Sequence, residues 1–231
     1  MFKDCFSERE KLLVVVASRF EFDALAARLA PGAKVESERY HSLSGRTYTV
    51  LQSGVGKANA ACAVAHFLTR FEGQYTGVLS YGIAGSYHES LALYQVIQAT
   101  DVIFADEGRV EKADPGFVSL EEAGWADCHF RCSEAPWVKA LREYADRHGR
   151  IATVSTISND DQLALTYSAR TLADAEGMEG AAVAQACTIF GVAMSELRVI
   201  SNICGDRKHK PWDIPGAIKK TADLFMQWQL A

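Results

Sequence analysis

Apolar positions along this chain follow two rhythms. Residues 12–17 (Leu-Leu-Val-Val-Val-Ala) form an unbroken apolar run, the pattern of a parallel strand buried on both faces. Residues 46–52, 76–80, 94–104, 151–157 and 192–202 also read as strands. Between them lie helical segments: 18–29, stopped by Pro31-Gly32; a small-residue helix over 58–71; 134–148, with Trp137, Leu141 and Tyr144 on one core-facing stripe; and a helix to about residue 172, opened by Ser158-Asn159-Asp160-Asp161. A Gly-broken turn at Gly177-Met178-Glu179-Gly180 leads into another small-residue helix, and Asp213-Ile214-Pro215 starts the last one with an acidic N-cap and Pro in the first turn. Strands alternating with helices predict α/β architecture, a single three-layer α/β/α domain over residues 1–231 with a mixed twisted central sheet.

Composition narrows the partners. In 231 residues, 48% are apolar and only 5 are Pro, which suits a packed core rather than linkers. The net charge of −5 is carried by dispersed residues, so neither nucleic acid nor an anionic membrane is expected as a partner. The segment 1–11 is charged, and the apolar run after it is too short for a signal-peptide core or a membrane span, so a cytoplasmic protein is expected. The cysteines Cys5, Cys62, Cys128, Cys132, Cys187 and Cys204 read as free thiols. Cys128 and Cys132 are one pair without the second that a zinc site needs; a surface loop is expected there, and no metal.

Candidate chemistry gathers at strand ends, where open α/β sheets bind ligands. Glu179 and the segment Arg198-Val199-Ile200-Ser201-Asn202 are expected to face one cleft. Glu21 stands in the first helical turn beyond the first strand, a position that suits either a helix-stabilising carboxylate or a working one. Ser53-Gly54-Val55-Gly56-Lys57 is a tight turn with exposed N–H groups but lacks the Walker A spacing, and no dinucleotide fingerprint is present, so no cofactor is expected. Tyr81-Gly82-Ile83-Ala84-Gly85-Ser86 reads as a turn open to close approach, or as a plain strand end; Thr156 and Ile157 stand at the end of their strand. The polar, turn-rich segment 105–126 is long enough to suggest function or mobility, and the charge run 206–210 is expected to be a solvated loop.

Met178-Glu179-Gly180-Ala181-Ala182 and Arg198-Val199-Ile200-Ser201-Asn202 together resemble the signature of the purine nucleoside phosphorylase and nucleosidase superfamily, which cleaves N-glycosidic bonds. Glu176-Gly177-Met178-Glu179-Gly180-Ala181-Ala182-Val183-Ala184, with Ile200-Ser201-Asn202-Ile203-Cys204-Gly205 and Trp212-Asp213-Ile214-Pro215, resembles its futalosine hydrolase branch, over nearly all the chain after residue 11. The resemblance implies that Glu179 binds the ribose hydroxyls, that Glu21, helped by Arg198, holds the attacking water, and that Asn202 meets the purine at N7 and O6 with Ser201 orienting it. It also places Ile83, Ala84 and Gly85 beside the ribose, Thr156 and Ile157 in the base-binding wall, Met178 in the site, and Phe117 on the 5′ side. Family members are homo-oligomers whose neighbours often complete the 5′ pocket, so at least a homodimer is expected.

Asn202 is the informative departure. Adenine-specific nucleosidases of the superfamily carry aspartic acid there; an amide protonates nothing but donates to O6 and accepts from N7–H, which fits a 6-oxopurine. Glu21 in the first loop would repel phosphate, which favours water as nucleophile. The expectation is hydrolysis of a 6-oxopurine nucleoside in menaquinone biosynthesis. The alternatives are a methylthioadenosine/adenosylhomocysteine nucleosidase, a purine nucleoside phosphorylase, and a binding protein without chemistry.

Overall fold

The computed structural model describes residues 11–29, 39–112 and 116–230, without the side chains of Gln229 and Leu230. The Pro31-Gly32 stop, the charged segment 1–10 and Cys5 lie outside them. Strands β1 (Lys11–Val16), β3 (Tyr48–Gln52), β4 (Tyr75–Ser86) and β11 (Ala193–Ile203) run parallel, while β5 (Val96–Phe104) pairs antiparallel with β11 and parallel with β9 (Arg147–Thr153). β2 (Ser42–Ser44) and β8 (His129–Arg131) are short antiparallel additions to β3 and β5. Helices α1 (Arg19–Leu29), α3 (Pro136–Ala140) and α6 (Ile214–Leu230) bury Phe22, Trp137 and Phe225 on one face; α2 (Lys57–Arg70) and α5 (Gly180–Phe190) bury Val64, Ala182 and Val183 on the other. The mixed sheet between two helical layers is the predicted architecture.

The sheet also closes on itself. β10 (Ala175–Gly177) pairs parallel with β9 and antiparallel with β4, so β10, β9, β5, β11 and β4 form a ring. Glu179 therefore does not sit at the end of a strand parallel to β11. It reaches the cleft because β10 crosses the carboxyl end of β4, with Glu176 opposite Gly85.

Several boundaries differ from the sequence expectation. Residues 81–86, read as a turn, continue β4, because β11 pairs with it through Ser86. The helix expected over 134–148 is only α3 and a 3-10 turn (Leu141–Tyr144): β9 already begins at Arg147, where pairing with Ile97 of β5 overrides helical periodicity. The aromatic stripe is still core, with Trp137 packed over Gly77, where a Cβ would come within 2.7 Å of its ring. β9 ends at Thr153, so Thr156 and Ile157 lie beyond it. The 105–126 segment carries a hairpin of β6 (Gly108–Val110) and β7 (Phe117–Ser119). Cys128 and Cys132 flank strand β8, and Cys128 is buried, so the surface-loop reading fails where pairing with β5 covers the segment.

Helix starts follow the expected chemistry. Asp160 caps α4 (Asp161–Thr171) by accepting from Leu163 N at 3.0 Å, and Asp213 accepts from Gly216 N at 3.0 Å. At α1, Ser18 N donates to Glu21 Oε2 at 2.8 Å while Glu21 N donates to Ser18 Oγ at 3.2 Å, a reciprocal capping box.

Candidate active site

A cleft of about 350 Å³ opens at the carboxyl ends of β1, β4 and β11. That volume is in the range of small-molecule sites. Its wall includes Glu21, Ile83, Ala84, Gly85, Ile157, Met178, Glu179, Arg198, Ser201 and Asn202. Two predicted residues are elsewhere. Thr156 is exposed and absent from this wall; Phe117 lines a separate cavity of about 840 Å³ under the hairpin, its ring 3.7 Å from the Arg170 guanidinium carbon. β9 stops short of Thr156, and β7 packs Phe117 against Arg170 of α4.

Arg198 is the electrostatic centre, 2% exposed and enclosed by buried carboxylates. Its Nε donates to Glu196 Oε1 at 2.7 Å; Nη2 donates to Ser80 Oγ at 2.9 Å and to Glu179 Oε2 at 3.3 Å. Burial alone would favour loss of the proton, but Glu196, Glu179 and Glu21 outweigh it and hold the guanidinium charged. Such a cluster is weak evidence for stability. It fixes orientation instead.

Glu179 stands at the N-cap of α5 without capping it. Its Oε1 accepts from Gly56 N at 2.9 Å. The Ser53–Lys57 turn thus does more than bend the chain: Gly56, at φ 95°, presents its N–H to the carboxylate from a conformation that favours glycine. Burial pushes the Glu179 carboxyl above its ordinary range; Arg198 and the Gly56 N–H oppose that shift, and the Glu21 and Glu196 carboxylates add to it.

Glu21 divides its two oxygens. Oε2 is held by Ser18 N and Ser18 Oγ, whereas Oε1 accepts from Ile83 N at 3.2 Å at the cleft. Gly82 makes the approach of Glu21 to Arg198 possible: a Cβ there would lie 2.2 Å from Glu21 Oε1 and 2.8 Å from Arg198 Nη1. Gly82→Ala is expected to push these groups apart and lower kcat/KM by roughly 100-fold, the cost of a displacement near 1 Å at a reacting centre. Activity measured beside a melting curve checks this, with the curve expected to move far less than the rate.

At the other end of the cleft, the β4–β11 register shifts between Ile200 and Asn202, leaving Ser201 in a bulge and pairing Asn202 with Gly85. The Ser201 hydroxyl lies 2.8 Å from Asn202 Oδ1 and 3.1 Å from Ala84 O, so the shorter contact fixes the amide, as expected for a supporting residue. Asn202 Nδ2 lies beside Gly85, where a Cβ would be 2.8 Å away. An isolated bridge from Asn202 to Trp212 brings the indole to the cleft mouth.

Sequence reasoning gave no role to Glu176, Glu196 or Trp212. Glu176, buried on the cleft wall, accepts from Ser158 N at 2.7 Å, Ser158 Oγ at 2.6 Å and Tyr87 Oη at 2.7 Å, holding the loop that carries Ile157. A signal was present for Glu196, because a carboxylate inside a run of buried strand positions demands a partner. Among the described residues, no three His, Cys, Asp or Glu side chains gather as metal ligands do.

The phosphorylase superfamily model matches residues 11–227. The futalosine hydrolase of Acidothermus cellulolyticus is 35% identical over 222 residues, covering 93% of this chain and 88% of that protein. The futalosine hydrolase of Streptomyces coelicolor is 34% identical over 220 residues, covering 92% of each. A solved 5′-methylthioadenosine/S-adenosylhomocysteine nucleosidase of Helicobacter pylori superposes with a TM-score of 0.77 at 20% identity, covering 96% of this chain and 99% of that one, which shows a shared fold. With its cleft residues where the signature segments converge and the family model spanning nearly all of its length, the chain belongs to the phosphorylase superfamily.

Proposed function

We propose that this protein hydrolyses the N-glycosidic bond of a 6-oxopurine nucleoside, with futalosine as substrate and hypoxanthine and dehypoxanthine futalosine as products, a step of menaquinone biosynthesis. The observation that carries the reading is one cleft holding Glu21, Glu179 and Arg198 with an amide, Asn202, at the base end. The futalosine hydrolases among its relatives support it.

N-glycosidic cleavage passes through a sugar cation, so the site must stabilise positive charge on the ribose, ease departure of the base and hold a nucleophile. Glu179, whose oxygens keep lone pairs beyond those used by Gly56 and Arg198, grips the ribose hydroxyls and places negative charge beside the developing cation from a buried position. Glu21, fixed by Ser18 through one oxygen, uses the other with Arg198 to orient a water and take its proton. Asn202 Nδ2 donates to the purine O6, and as the C–N bond breaks and the departing hypoxanthine takes a proton from solvent at N7, Oδ1, already turned by Ser201, accepts from that N7–H. Ile83, Ala84, Gly85, Met178 and Ile157 supply the surrounding wall. A carboxylate in the first turn of α1, Glu21, disfavours phosphate, so water is the nucleophile.

Asn202→Asp is expected to move preference from futalosine toward methylthioadenosine, because a carboxyl can donate a proton to N7 of a 6-aminopurine and cannot donate to O6 once ionised. The change in relative kcat/KM should be on the order of 10- to 100-fold, the scale of one mismatched hydrogen bond at a buried site. Competition between the two substrates, followed by free base released, checks it; unchanged preference would remove Asn202 from base selection.

We place the protein as a homodimer or larger homo-oligomer, as the family resemblance implies; Phe117, which lines a separate cavity of its own chain, would reach the 5′ side only of a neighbouring copy's cleft. No described helix is long and apolar enough to cross a membrane. We place the protein in the cytoplasm, as one domain over residues 1–231.

A further inference from the structure

Glu196 takes no part in the chemistry above, yet its side chain is wholly buried. It lies on β11 two residues before Arg198, and so on the same face of the strand. One oxygen, Oε1, accepts from Arg198 Nε at 2.7 Å and from Ser80 Oγ at 3.2 Å. The other, Oε2, has no hydrogen-bond partner among the described residues and lies against Gly180, where a Cβ would come within 2.0 Å of it. A carboxylate that deep with one unpartnered oxygen is costly. Its effect on Arg198 gives it a reason to be there.

A guanidinium and a neighbouring carboxylate favour a two-pronged pair. Without Glu196, the carboxylates left beside Arg198 are Glu179 and Glu21, and a two-pronged pair with Glu179 would occupy both of its oxygens and offset their charge. The distances show a different division: Arg198 Nε is 2.7 Å from Glu196, while Glu179 keeps a single 3.3 Å contact through Nη2. We propose that Glu196 is a positioning residue that draws Arg198 away from Glu179 and leaves the Glu179 carboxylate free to grip substrate. The inference rests on the role proposed for Glu179 above.

The charged and titratable groups that face this pair come from several elements. Arg198 lies on β11 and Glu21 on α1, and the Cys132 thiol next to β8 is pushed up by burial and by Glu196. Removing the Glu196 charge deletes a like charge facing Glu179 and releases a cation toward it. Both changes favour ionised Glu179, so its titration must move to lower pH.

Glu196→Gln keeps the side-chain shape but leaves Arg198 Nε only a neutral amide oxygen, a weaker hold than the carboxylate. Carbon-13 titration of labelled glutamate carboxyls, assigned with Glu179→Gln, reads Glu179 directly and needs no turnover. In Glu196→Gln, Glu179 is expected to titrate at lower pH than in the wild type, and the acid limb of kcat/KM for futalosine should move down with it. At neutral pH kcat/KM should fall roughly 10- to 100-fold, the scale for a partner that orients a working group. Glu196→Asp, which keeps the charge, should hold the wild-type titration. Should Glu196→Gln fail to fold, Ser80→Ala loosens the same contacts and should give a smaller shift of the same sign. A Glu179 titration unmoved in the variant that folds overturns the proposal, even where activity falls evenly at every pH. Wild-type protein that releases no base would count against hydrolysis, while the titration would still decide the role of Glu196.

Discussion

Glu179→Gln is expected to lower kcat/KM by about 10²- to 10³-fold, the range for removing one preorganised group aimed at transition-state charge. Gln keeps one oxygen, which can accept from the Gly56 N–H while the longer Arg198 Nη2 contact is given up, and Arg198 stays held by Glu196 and Ser80, so the fold should survive. What it loses is the negative charge beside the ribose cation. Most of the loss should fall on kcat, because that charge matters most when the cation forms. The same residue sets the acid side of the pH profile. Burial raises its proton affinity, and the working form is the ionised one, so wild-type activity should decline with falling pH above the ordinary glutamate range. In Glu179→Gln that limb should vanish. Steady-state rates across pH for both proteins check the pair of expectations; a variant with wild-type kcat would leave Glu179 as a structural acid only.

Glu21→Gln should cost about 10²- to 10⁴-fold in kcat, the contribution of a positioned general base. The amide can still accept from Ser18 N, so the start of α1 should hold, but it cannot take a proton from water. Substrate affinity should change little, because Glu21 meets the water rather than the nucleoside. Single-turnover rates beside calorimetric binding of hypoxanthine separate the two effects. An unchanged rate would return Glu21 to a capping role, the other reading its position in the sequence allows.

Those two carboxylates also show how far the sequence could be read. The strand at residues 12–17 and the Ser18–Glu21 start of the next helix were legible because both signals are local: an apolar run and a cap. Glu179, Arg198 and Asn202 were legible through motif resemblance, and β11 brings the last two to one wall as expected. The ring closed by β10 was not, since a three-residue strand of Ala, Glu and Gly has almost no strand signature and exists through its pairing with β9 and β4. Residues 81–86 misled for the opposite reason. Their glycines suggest a turn open to close approach; the strand instead continues through them, and the close approach is by side chains, Gly82 admitting Glu21 and Arg198 and Gly85 admitting Asn202. Phe117 and Thr156 were placed in the site by resemblance alone, and strand lengths no local pattern encodes set them outside the cleft.

The most direct test of the central claim is chromatographic detection of free base when purified protein meets futalosine, inosine and methylthioadenosine in turn, each with and without phosphate. Hypoxanthine released from futalosine at the same rate with or without phosphate is the predicted result. Release that requires phosphate, adenine from methylthioadenosine as the main product, or no base from any of the three would contradict it.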